Sequence, residues 1–112
     1  MPSVHVDQTP AAAEARVRRH LPESLVPELL SKRYQIINIW RPIHHAANDW
    51  PLALCDFSSV DTKKDLVPTT LIYPDREGET YSVLHNDAHQ WKYFKDVKTN
   101  EVILIKWLVF VH

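Results

Sequence analysis

Glycine is almost absent from this sequence. Gly78 stands alone in 112 residues, where average usage would give about eight. So small a supply excludes glycine-rich phosphate-binding loops and the strand-to-helix turns that hold nucleotide cofactors. It also leaves few turns with positive φ. Cysteine is as scarce. Cys55 is the single one and has no internal disulfide partner, which points to a reducing, cytoplasmic setting. The apolar run WPLALCDF around it favours a buried, inert thiol over a nucleophile. No apolar stretch approaches the roughly 18 residues of a membrane span, and the opening residues lack the charged-then-apolar pattern of a secretory leader. Nor is either sign of charge in excess: 13 basic side chains face 14 acidic ones. That balance gives no footprint for nucleic acid. The cluster Arg16, Arg18 and Arg19 reads as the wet side of a helix.

With 45% hydrophobic and 24% charged residues, the chain has the make-up of one globular domain and is too short for two. TPAAAEARVRRHL carries a plausible N-cap at Thr9, a proline at the first helical position and an apolar stripe through Ala13, Val17 and Leu21. It predicts a helix over roughly 10–20. PESLVPELLSKR predicts a second helical segment, begun at Pro22 and bent or split at Pro27. From Tyr34 the pattern turns β-branched and aromatic. YQIINIW, PLALCDF, VPTTLIY, TYSVLHN, HQWKYF and VILIKWLVF read as strands, with turn chemistry around Gly78 in PDREGE. The expected organisation is helix within about 10–33 and antiparallel strands over about 34–110.

His5 and Asp7 are two apart, so on an extended segment they share a face. An imidazole and a carboxylate side by side match two of the three ligands of a facial iron(II) site; the alternative reading of the pair alone is a solvated tail. Arg41, among apolar residues, suits an anionic substrate or co-substrate, or a structural acid such as Asp56. His44 and His45 are adjacent, point to opposite faces and read as loop histidines. His89, Trp91 and Tyr93 share a strand face that lines a pocket or fills an aromatic core. The same two readings hold for Asn38, Tyr81, His85 and Asn86.

Several ordered motifs carry a resemblance. They are H-x-D at His5 and Asp7, N-x-W-R-P from Asn38 to Pro42, P-L-A-x-x-D from Pro51 to Asp56 and G-E-x-Y from Gly78 to Tyr81. N-x-x-H-x-W-x-Y-F from Asn86 to Phe94 and E-V-x-L-I-K from Glu101 to Lys106 complete the set. Together they resemble the fungal hydroxylase/desaturase family of AsaB-like proteins, which includes gibberellin desaturases and is similar to the cephalosporin 7-alpha-methoxylase-like proteins. The resemblance implies a mainly β fold with N-terminal helices: a partial double-stranded β-helix, jelly-roll-like and truncated at both ends, in one incomplete domain over 1–112. It implies Fe(II) and 2-oxoglutarate as cofactors, with His5 and Asp7 as metal ligands. Asn38, Arg41, Tyr81, His89 and Trp91 are the substrate- or co-substrate-binding candidates.

The implied activity is hydroxylation or desaturation of a small molecule in secondary metabolism, with no nucleic-acid or membrane partner. In the family, the segment after L-I-K leads to a third iron ligand, a histidine, and later to an arginine for 2-oxoglutarate. Here it runs into WLVFVH, and His112 does not match that histidine's context. The rival reading is a non-catalytic remnant or binding module of the same fold. A methyltransferase is disfavoured by the missing glycine-rich turn.

Overall fold

The structure, a computed structural model, describes residues 4–109. His112 and the last residue of the expected β region lie outside the described residues. The chain enters on a two-residue strand, β1 (His5–Val6), followed by α1 (Pro10–His20) and α2 (Val26–Leu30). Six more strands follow: β2 (Gln35–Trp40), β3 (Ala53–Cys55), β4 (Leu66–Ile72), β5 (Glu77–Val83), β6 (Trp91–Tyr93) and β7 (Ile103–Val109). A short 3-10 turn at Phe57–Ser59 is the only helical turn described beyond α2.

Helix α1 begins where its capping chemistry places it. The Thr9 hydroxyl oxygen accepts from the Ala12 N–H at 3.3 Å, and Pro10 occupies the first turn. Arg18 folds back onto Glu14 one turn earlier, with Nη2 and Oε1 2.6 Å apart. The second helix differs from expectation. Pro27 does not split it but sits in its first turn, where a missing N–H leaves no intrahelical bond unmade. The segment before Val26 forms turns instead of helix.

The strands form three antiparallel groups, ordered β1-β5-β4, β2-β7 and β3-β6. This matches the mainly β, antiparallel arrangement expected from Tyr34 onward. β5 is the centre of the three-stranded sheet. His5 lies opposite Ser82 and Val6 opposite Tyr81, while Val67 and Pro68 of β4 meet the same two residues from the other side. Pro68 is tolerated because β4 is an edge strand. Helix α1 packs against β5 and α2. Among the described residues the buried hydrophobic set is Ala13, Val26, Val97 and Ile103. Ile39, Trp50, Phe94 and Leu104 stay exposed. Among the described residues no helix is long and apolar enough to cross a membrane.

Gly78 corrects one expectation. It lies inside β5, not in the preceding turn, and its φ is not positive. Its use is close approach: a Cβ placed there would come within 3.0 Å of the Tyr73 ring. That ring in turn carries the Arg76 guanidinium, 4.4 Å above its centroid. The Gly78→Val substitution is therefore expected to destabilise the chain by about 1–3 kcal/mol through overpacking. In a Tyr73→Ala background the same substitution should cost far less. Denaturant unfolding of the four chains measures this, and an undiminished penalty without Tyr73 would show that the ring is not the obstacle.

Candidate metal centre

His5 and Asp7 converge. His5 Nε2 and Asp7 Oδ1 are 2.9 Å apart, with side chains 51% and 34% exposed. They are thus within reach of an ion from solvent while anchored by β1. Register defines what surrounds them. His5, Ser82 and Val67 stand on one face of the sheet, with Thr80 and Thr69 one alternation away on that face. Ser82 Oγ and Thr69 Oγ1 are 2.7 Å apart and hydrogen-bonded. The pair therefore stands on a hydroxyl-bearing strip of Thr69, Thr80 and Ser82. Tyr81, opposite Val6, belongs to the other face.

An imidazole nitrogen and a carboxylate oxygen are ligands that first-row divalent metals accept, so both residues fit the iron the resemblance implies. They form part of a site only. Among the described residues no group of three His, Cys, Asp or Glu side chains is placed to hold a metal ion.

The remaining candidates are distributed. Asn38 is exposed on β2, and Arg41 follows that strand, exposed. Arg41 Nη1 donates to the Thr99 carbonyl at 3.2 Å, and Asp56 is not its partner. Asp56 Oδ2 instead accepts from Lys92 Nζ at 2.7 Å, and its Oδ1 accepts from the Ser58 hydroxyl and N–H. Lys92, and then Ser58, hold this carboxyl at about 2. Cys55 is half-buried, its Sγ 3.7 Å from Ser59 Oγ. His45 Nδ1 lies 2.8 Å from the Ala46 carbonyl in the loop expected for it.

His89 and Trp91 do meet, edge to face with centroids 6.5 Å apart. The stronger tie of His89 was missed by sequence reasoning. Its Nε2 lies 2.9 Å from Asp65 Oδ2, and the two side chains are only 3% and 6% exposed. Asn86 Nδ2 donates to the same carboxylate at 3.1 and 3.2 Å, and the Asp61 N–H donates at 2.8 Å. Asn86 Oδ1 accepts from the Ala88 N–H, closing the turn that brings His89 inward. The Leu84 N–H donates to the Asp65 carbonyl at 2.8 Å. This knot fastens the end of β5 to the start of β4. The spacing N-D-A-H was the available signal; its partner, more than twenty residues earlier, was not.

The hydrogen bond from His89 lowers the Asp65 pKa below 3.8, against the opposing effect of burial and with help from Asn86 and Asp61. A carboxyl lowered on folding contributes stability that is present above its unfolded pKa. That contribution is lost as pH falls through the folded value. The unfolding midpoint should therefore drop on acidification below about pH 4. In Asp65→Asn the midpoint is expected to be lower near neutrality and its acid-induced drop shallower. An equally steep drop in the variant would remove Asp65 as the source.

The model of an oxidoreductase/YMDC permease-like domain matches residues 1–108. Aspirochlorine biosynthesis protein N of Aspergillus oryzae is 41% identical over 88% of this chain and 42% of its own length. The hydroxylase/desaturase efuI of Hormonema carpetanum is 36% identical over 93% of this chain and 38% of its own. Among solved structures, the iron and alpha-ketoglutarate-dependent endoperoxidase NvfI superposes with a TM-score of 0.86 at 27% identity. That match covers 96% of this chain and 40% of NvfI. The chain thus spans about two fifths of the proteins it matches, and its β arrangement is that of the NvfI oxygenase fold.

Proposed function

The chain belongs to the oxidoreductase/YMDC permease-like family, with hydroxylase/desaturases and Fe(II)/2-oxoglutarate-dependent dioxygenases among its relatives, and from that premise we propose that it provides two iron ligands, His5 and Asp7, to an oxygenase of small molecules. The carrying observation is the convergence of these side chains on a strand registered against β5. Bound with 2-oxoglutarate, iron supplies the oxidising chemistry for hydroxylating or desaturating a C–H bond.

The chain's own residues do the rest. His5 Nε2 and Asp7 Oδ1 bind the ion, and the Thr69, Thr80 and Ser82 strip forms the polar floor beneath them. Trp91, 46% exposed and edge-packed by His89, offers an apolar wall for substrate. His89, held by Asp65, fixes the orientation of that wall. Arg41, with one N–H on the Thr99 carbonyl, is the guanidinium for an anionic group, and Asn38 on β2, the strand Arg41 follows, supplies a polar contact. Tyr81, a residue of β5, lies on the opposite face of the sheet from the pair. The setting is cytoplasmic, and the partner is a small molecule, not nucleic acid or a membrane.

The absence of a third donor among the described residues favours the second reading for the chain by itself: a metal-binding module without turnover. Anaerobic Fe(II) titration and succinate release from 2-oxoglutarate under O₂ separate the two. The expected result is weak Fe(II) binding that falls about tenfold or more in His5→Ala and in Asp7→Ala, with no appreciable succinate. Succinate formed at enzyme-like rates, on the order of 1 s⁻¹ or more, and lost in His5→Ala would replace the binding reading with the catalytic one. Binding indifferent to both substitutions would overturn the metal assignment.

A further inference from the structure

Three of the four buried polar residues of the described chain adjoin the candidate ligand pair in sequence or across the ladder: Gln8 and Thr9 follow Asp7, and Thr80 bonds to Val6. The fourth, Asp65, belongs to the knot with His89. β1 pairs with β5 through His5 and Val6 alone, so Asp7 lies one residue past the last registered pair. A carboxylate at the frayed end of a two-residue strand would ordinarily sample many orientations. Here the backbone on both sides of it is pinned.

The Thr80 hydroxyl, 7% exposed as a residue, donates to the Val6 carbonyl. That carbonyl belongs to the peptide plane joining Val6 to Asp7, so the bond fixes the plane from which Asp7 departs. Two residues beyond, Thr9, 2% exposed, donates its hydroxyl to Glu79 Oε1 and accepts from the Ala12 N–H of α1. Glu79 and Thr80 are consecutive on β5. None of these bonds uses His5 Nε2 or Asp7 Oδ1.

We infer that Thr80 and Glu79 are positioning residues for the metal-ligand pair, acting through the Val6 carbonyl and the Thr9 hydroxyl. The inference rests on the metal reading of His5 and Asp7. Partly buried hydrogen bonds suit this task, because the reduced local dielectric strengthens them and holds one geometry. Partners that orient metal ligands typically contribute 10–100-fold to metal affinity.

Mn(II) titration of the full chain, followed by the EPR signal of free Mn(II), tests this. Thr80→Val keeps the shape and removes the donor; Thr80→Ser keeps the donor. Expected are a Kd raised about tenfold or more in Thr80→Val, near wild-type binding in Thr80→Ser, and cooperative melting of both. Glu79→Met, which removes the acceptor, should weaken binding likewise, and Glu79→Gln, which keeps one, should restore it. His5→Ala is the reference for loss of a ligand. If His5→Ala weakens binding while Thr80→Val and Glu79→Met leave it unchanged, the positioning role is overturned and the metal reading stands. If His5→Ala leaves binding unchanged, the metal reading fails and takes this inference with it. If Thr80→Val and Glu79→Met both lose cooperative melting, the two bonds hold the fold and not the pair, which also overturns it.

Discussion

The candidate centre depends on β5 being the middle strand of its sheet. β1 has two residues, too few to define its own geometry, and everything that orients it comes from across the ladder. β5 gives it register through Ser82 and Tyr81, a side-chain bond through Thr80 and a second anchor through Glu79. β4 holds β5 from the other side over seven residue pairs. A one-residue slip of β1 would turn His5 and Asp7 to the face of Tyr81. The buried hydroxyls resist that slip, because moving the strand would strand them without partners.

Local chemistry made much of this legible in the sequence. Thr9 and Pro10 mark the start of α1, and the observed helix runs over Pro10–His20. The switch at Tyr34 to β-branched and aromatic residues marks the strands, and the two-residue spacing of His5 and Asp7 puts them on one face. What was not legible shares a cause. Asp65 and His89 are 24 residues apart, Lys92 and Asp56 are 36 apart, and Thr80 and Val6 are 74 apart. No local pattern announces such a pairing. Gly78 misled for a related reason. Glycine beside Pro74 and Asp75 reads as a turn residue, yet its role is set by the Tyr73 ring folding over it from the preceding turn.

Two histidines, His5 on β1 and His89 in the loop before β6, show how environment divides one residue type between roles. His5 is half exposed and faces a carboxylate at the end of a short strand. His89 is almost wholly buried, and Asp65 takes its Nε2. The first is placed to exchange a protein partner for an ion at little desolvation cost. To bind anything through Nε2, the second would have to break its hydrogen bond to Asp65 and take an imidazole partner from a buried carboxylate. The motifs H-x-D at His5 and N-x-x-H at His89 do not by themselves separate the two roles.

The described residues bury few hydrophobic side chains, and polar ties stand at three junctions of the strands. Among the described residues the buried hydrophobic side chains are Ala13, Val26, Val97 and Ile103, while paired strands alone are marginal in water. The β3-β6 ribbon adds Lys92–Asp56 and the Ser58–Ser59 turn, with the Gln90 N–H donating to Ser59 Oγ at 2.9 Å. The β4-β5 end adds the Asp65 knot, and the β1 end adds Thr9, Thr80 and Glu79. Each tie fixes a specific geometry that non-directional apolar burial would leave loose. Placing two ligands on one point demands directional constraint, and at this end of the sheet the buried hydroxyls provide it.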